Sequence, residues 1–175
     1  QTSFTNYVAG LKQRGKTGPL NHQEWIIPGP YNLAMLDGSK PLAVLFEEPD
    51  CDNCNILHTR TFAKEDAAQL LDGFNIVQLN RWSDSQLVTP SGKETTAEKW
   101  AQQLGLGFSP AIVFFDGQGK KIFAIDAMFK SFHILGVFDY VASGAYRSQP
   151  SFQRFLSERA ERLLSTGADV NIWEY

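Results

Sequence analysis

Leu42, Ala43, Val44, Leu45 and Phe46 form an unbroken apolar run, the pattern of a strand at the centre of a sheet covered on both faces. Residues 74–79 alternate with period two and predict a second strand. Residues 111–115 and 121–125 flank Asp116-Gly117-Gln118-Gly119, which predicts a hairpin. Between these, apolar positions recur at helical spacing. Ile56, Leu57, Phe62 and Ala63 permit a helix from 53 to about 64, and a short one starts at 64–66 and ends at Gly73. Trp100 and Leu104 mark a helix over 96–104 that Gly105 ends. Phe132, Leu135, Phe138 and Val141 mark one from about 131 to 146, and Phe152, Phe155, Leu156 and Leu163 another over 151–164. The order from residue 42 predicts an α/β domain, a mixed sheet with helices on both faces.

The polar positions set the boundaries. Residues 1–40 read as an N-terminal extension packed on the domain: a short amphipathic stretch at 4–11 is followed by Lys16-Thr17-Gly18-Pro19 and by the break Pro28-Gly29-Pro30. Residues 41–147 form the main domain, with a polar loop insertion at about 81–95, long for a simple connection. Residues 148–175 form an added helix and tail. With 175 residues the chain buries a substantial core without covalent staples. Its net charge is only −3 and it has no basic block, so nothing draws it to nucleic acid. No apolar run approaches the roughly 20 residues of a membrane span, so no membrane insertion is expected. The chain starts at Gln1, and removal of an export signal is one expectation from that start.

The only two cysteines sit in Cys51-Asp52-Asn53-Cys54, directly after the first strand. A thiol capping the following helix lies near unpaired backbone N–H groups, which favour thiolate. Three chemistries are open at this point. An inert disulfide would close too short a loop to stabilise a chain of this length greatly. A metal site would combine Cys51, Cys54 and His58, four residues further on, but it lacks a fourth ligand. Otherwise His58 is expected on the exposed helix face. The third chemistry is redox exchange. Haem attachment is excluded locally because Asn55, not histidine, follows Cys54.

The strand and Cys51-Asp52-Asn53-Cys54, followed about 55 residues later by Ser109-Pro110-Ala111-Ile112-Val113-Phe114-Phe115-Asp116, resemble the thioredoxin superfamily. More narrowly, Asp139-Tyr140-Val141-Ala142-Ser143-Gly144-Ala145-Tyr146-Arg147 with Phe152-Gln153-Arg154-Phe155 is similar to bacterial SoxW-like thioredoxin-related proteins. The resemblance implies a thioredoxin fold in which Cys51 is the exposed nucleophile and Cys54 the buried resolving thiol. Pro110 would be a cis-proline facing the pair, and Ser109 would offer its backbone to a substrate strand, with Asp52 and Asn53 beside it. It implies a thiol-disulfide oxidoreductase that needs no cofactor beyond the dithiol. Partners would be protein disulfide or dithiol substrates and an upstream thiol reductant, and the location the periplasm. Oligomeric state, client and donor are not specified.

One departure concerns proton handling. Thioredoxins carry a buried aspartate six residues before the first cysteine, and Leu45 stands there. Glu47 or water is expected to take that role, the alternative for Glu47 being a solvated strand end. Glu47, Glu48, Asp50 and Asp52 crowd negative charge near Cys51, which opposes the thiolate and predicts a reductant or isomerase rather than a primary oxidant. Trp82 is a candidate wall of the substrate groove. His22 and His133 have no acid or cysteine near them in sequence and read as ordinary.

Overall fold

The computed structural model describes residues 17–175, so the stretch at 4–11 lies outside the described residues. Strands β1 (Leu42–Glu47), β2 (Asn75–Asn80), β5 (Ala111–Phe115) and β6 (Lys121–Ile125) form one sheet in the order β2-β1-β5-β6. β1 is parallel to β2 and antiparallel to β5, and β5 is antiparallel to β6. The helices are α1 (Asp52–Ile56), continued by a π-helical turn (Leu57–Thr61), then α2 (Ala67–Asp72), α3 (Ala97–Gln103), α4 (Ser131–Ala142) and α5 (Phe152–Ser165). This is the thioredoxin fold.

The alternation of side chains along β1 divides the core in two. Ala43 and Leu45 face one side and pack with Leu57, Phe62, Leu71 and the inner face of α4. Leu42, Val44 and Phe46 face the other and pack with Ala97, Trp100 and Ala101 of α3. Every residue of β1 is buried, which is why the strand reads as a continuous apolar run. Phe138 of α4 centres the first layer, its ring edge-on to Phe62, Phe74 and Phe114 with centroids 5.0–5.7 Å away.

Two stretches differ from the sequence pattern. The polar stretch at 81–95 is not a plain loop: β3 (Gln86–Val88) and β4 (Glu94–Thr96) pair antiparallel as a separate two-stranded sheet. Strands of three residues with one buried side chain in β3, Leu87, leave too little alternation to read. α4 stops at Ala142 rather than 146, because Gly144 turns the backbone left-handed (φ 70°) into a 3-10 turn, Ala145–Arg147. α5 packs on α4 at Gly136, where a Cβ would lie 2.4 Å from Leu156 Cδ2; the missing side chain lets the two helices approach. Residues ahead of β1 lie against the domain: Ile27 N–H donates to Ile76 O (2.8 Å), and Trp25 and Ile26 pack on the first core layer.

Candidate active site

The topology places the site. Parallel β1 and β2 end at the same edge of the sheet, and antiparallel β5 begins there. The chain leaving β1 turns through Pro49 and Asp50, whose φ of 55° is a left-handed value that aspartate tolerates better than most residues. Cys51 then caps α1 in an extended conformation, and Cys54 N–H donates to its Sγ at 3.1 Å. The two sulfurs are joined in a disulfide with Cα atoms 5.2 Å apart. Cys54 is fully buried, while Cys51 is partly exposed.

Cys51 lines an open cleft of about 390 Å³. Asp52 and Asn53 flank it on the helix side, and Glu48 and Asp50 on the strand side. Arg81 and Trp82, from the end of β2, and Phe108 with Ser109, from the loop ahead of β5, close the opposite wall. The Ser109–Pro110 peptide is cis. The structure therefore brings Cys51, Asp52, Asn53 and Ser109 to one cleft, with Cys54 behind Cys51 and Pro110 at the start of β5.

Glu47 is not in that cleft. It is fully buried rather than a solvated strand end, and it does not line the cleft with Cys51. It shares the face of Ala43 and Leu45, two residues beyond the leucine that stands where thioredoxins have their aspartate. His58 is also buried, at 2% exposure, and not on the exposed helix face. Its Nε2 lies 2.8 Å from Glu47 Oε1, and Gln78 Nε2 donates to Glu47 Oε2 at 2.8 Å. Cys54, Leu57, His58, Thr61 and Phe62 follow the i, i+3, i+4, i+7, i+8 spacing of one inward face. That spacing, with Glu47 in phase with Leu45, is the sequence signal for the pair. Among the described residues no group of three or more His, Cys, Asp or Glu side chains is arranged to hold a metal ion.

Two further residues had no signal beyond their polarity. Arg81 is 8% exposed and donates to the carbonyls of Leu106 (2.8 Å) and Phe108 and to Ser109 Oγ (3.1 Å). Its guanidinium also lies 4.9 Å from the centroid of the Trp82 ring, and Trp82 Nε1 donates to Glu48. Asp126 holds the same loop from its amide side, accepting from Gly107 N–H (2.9 Å) and Phe108 N–H (2.9 Å). The segment leading to Pro110 is thus clamped through its carbonyls and its amides.

Residues 32–142 match the family model of the thioredoxin-like domain. The chain belongs to that family. Among solved structures it is similar to a thioredoxin-fold protein from Helicobacter pylori, at 16% identity and a TM-score of 0.59, over 82% of this chain and 92% of that one. It is also similar to a disulphide isomerase from Xylella fastidiosa Temecula1, at 17% identity and a TM-score of 0.36, over 70% and 78% of the two chains. The N-terminal domain of PilB from Neisseria gonorrhoeae matches at 11% identity and a TM-score of 0.39, over 57% and 75%. At 16% identity the likeness to the Helicobacter pylori protein is one of fold. No curated protein sequence matches the chain. Among the described residues no helix is long and apolar enough to cross a membrane.

Proposed function

We propose that the protein is a thiol-disulfide oxidoreductase that exchanges disulfides with protein substrates, acting as a reductant or isomerase. The observation that carries this reading is the disulfide's placement: Cys51 opens onto a cleft shared with Ser109, and Cys54 is buried behind it. In the reduced form, Cys51 thiolate attacks a substrate disulfide. A bond forms between Cys51 Sγ and one substrate sulfur, and the other leaves as thiolate. Cys54 then attacks Cys51 Sγ, closes the 51–54 disulfide and releases the second substrate sulfur. The substrate gains two electrons and the dithiol loses them. An upstream thiol reductant restores the dithiol, and no bound cofactor is required. Ser109 presents its backbone to the substrate chain as a strand partner, beside Asp52 and Asn53.

Direction follows from charge. Glu48, Asp50 and Asp52 surround Cys51 and oppose a thiolate there, whereas Arg81 on the far wall directs its N–H groups at Leu106, Phe108 and Ser109. A thiolate that is not strongly stabilised suits a reductant or isomerase. The likeness to SoxW-like proteins supports a periplasmic setting. Turnover of insulin disulfides by dithiothreitol tests the function, with Cys51→Ser as the control and metal content measured on the reduced protein. Acceleration that requires Cys51 is the expected result. Activity no better than Cys51→Ser, with stoichiometric metal, would replace this reading with a metal-handling one. A Cys51 thiol titrating below about pH 5, in the range of strong oxidants, would overturn the direction.

A further inference from the structure

Glu47 and His58 form a fully desolvated carboxylate-imidazole pair close to the disulfide in sequence and fold: Glu47 ends β1, and His58 lies one helical turn after Cys54. An imidazole that donates through Nε2 to a carboxylate carries its free lone pair at Nδ1. That Nδ1 is buried and has no hydrogen-bond partner. Helical side chains lean toward the preceding turn, so His58 leans over the turn that carries Cys54. The ring is held in place from several sides. Trp25 stacks on it (centroids 6.1 Å apart, planes within 8°), and Phe62 meets it edge-on at 5.5 Å. Gln78, which fixes the carboxylate, is itself anchored to Asn21 O at 2.8 Å. Trp25, Phe62 and Gln78 carry no titrating group. The ionisable side chains that meet here are therefore Glu47 from β1 and His58 from the π-helical continuation of α1, with Cys54 one turn away on the same inward face.

We propose that His58 is the internal base for the Cys54 thiol and that Glu47 is a positioning residue that fixes its tautomer; this rests on the thiol-disulfide reading above. Once Cys51 is joined to substrate, Cys54 must lose its proton before it attacks, and its side chain, which has no exposed surface in the disulfide form, is poorly placed to hand it to water. His58 Nδ1 takes the proton. Cys54 thiolate forms the bond to Cys51 Sγ, the bond from Cys51 to substrate breaks, and the substrate sulfur leaves with the electron pair and is protonated. The imidazolium stays paired with Glu47 until its proton returns to solvent.

Reaction of the reduced protein with the aromatic disulfide of Ellman's reagent separates the two steps. The first thionitrobenzoate is released at a rate proportional to reagent and reports Cys51. The second is released at a reagent-independent rate and reports Cys54. In the wild type the second rate should change less than about threefold between about pH 6.5 and about pH 8.5, because the proton goes to an internal base. His58→Phe, which keeps a ring for Trp25, should slow it about 100-fold at neutral pH and make it climb about tenfold per pH unit. Glu47→Gln should slow it about tenfold, and the double variant should be no slower than His58→Phe, since Glu47 acts through His58. A second phase within about threefold of wild type in folded His58→Phe would overturn the proposal, as would a wild-type second phase that itself climbs about tenfold per pH unit. If His58→Phe fails to fold because it strands the Glu47 carboxylate, the double variant, which removes that charge, replaces it. The wild-type pH profile decides in any case. Absence of the first phase in the wild type would instead count against the oxidoreductase reading.

Discussion

Arg81→Met tests whether the loop ahead of Pro110 is held as the geometry implies. The substitution keeps an unbranched apolar stem and removes the guanidinium fork, leaving the carbonyls of Leu106 and Phe108 and the hydroxyl of Ser109 without their donor. A buried acceptor left unsatisfied costs about 1–3 kcal/mol, which applies to the Leu106 carbonyl, and loss of the two half-buried bonds to Phe108 and Ser109 adds about 1–3 kcal/mol between them. Partial relaxation of the loop toward water reduces this to about 2–4 kcal/mol. For a chain of this size, at about 2–4 °C per kcal/mol, the melting temperature should fall by about 4–16 °C. Urea unfolding followed by tryptophan fluorescence measures the free energy, and insulin reduction on the same preparations measures the site. With Ser109 no longer fixed against Cys51, kcat/KM should drop by about tenfold to 100-fold. Arg81→Lys restores the charge but not the fork and should fall between the two. A loss of stability below about 1 kcal/mol, together with kcat/KM within about twofold of wild type, would refute the clamp.

The fold and the alkaline limb of stability give further expectations. Gly136→Ala should cost about 1–3 kcal/mol in urea unfolding, because its Cβ meets Leu156 Cδ2 at 2.4 Å, and Leu156→Ala in the same chain should cost less than the two single changes added together. Phe138→Ala, which empties the centre of the first core layer, should cost about 3–5 kcal/mol. Burial pushes the phenol of Tyr31 above its ordinary 10.0, against a smaller opposing pull from the backbone of Gln78. A group whose folded pKa is raised contributes stability below its unfolded value and loses it as pH rises through the folded one. The unfolding free energy should therefore decline above about pH 10, and less steeply in Tyr31→Phe.

The fold was legible where burial and residue type agree. β1 is apolar on both faces because both faces are covered, and the β5–β6 hairpin has a turn sequence between apolar strands. The cysteine pair was legible as chemistry because its spacing and its place after β1 act together. Polar residues inside the protein were not. Glu47 and His58 each sit at a position whose periodicity is inward, yet their residue types read as solvated, because a charged side chain enters a core only when a specific partner meets it there. The partners come from different elements, Glu47 from β1 and His58 from the helical continuation of α1, so neither local sequence contains the reason for the other. Arg81 follows the same logic: its acceptors lie 25–28 residues away. The β3–β4 hairpin was missed because three-residue strands carry almost no pattern.

Covalent capture at Cys51 tests the central claim most directly. The Cys54→Ser variant, reduced and mixed with a protein disulfide such as insulin, lacks the thiol that resolves the intermediate. Intact-mass spectrometry followed by peptide mapping should find one substrate chain joined to Cys51, released by dithiothreitol and absent from the Cys51→Ser/Cys54→Ser control. A folded Cys54→Ser protein that forms no adduct at Cys51, while its free thiol is confirmed by alkylation, would contradict the assignment of Cys51 as the exchanging nucleophile.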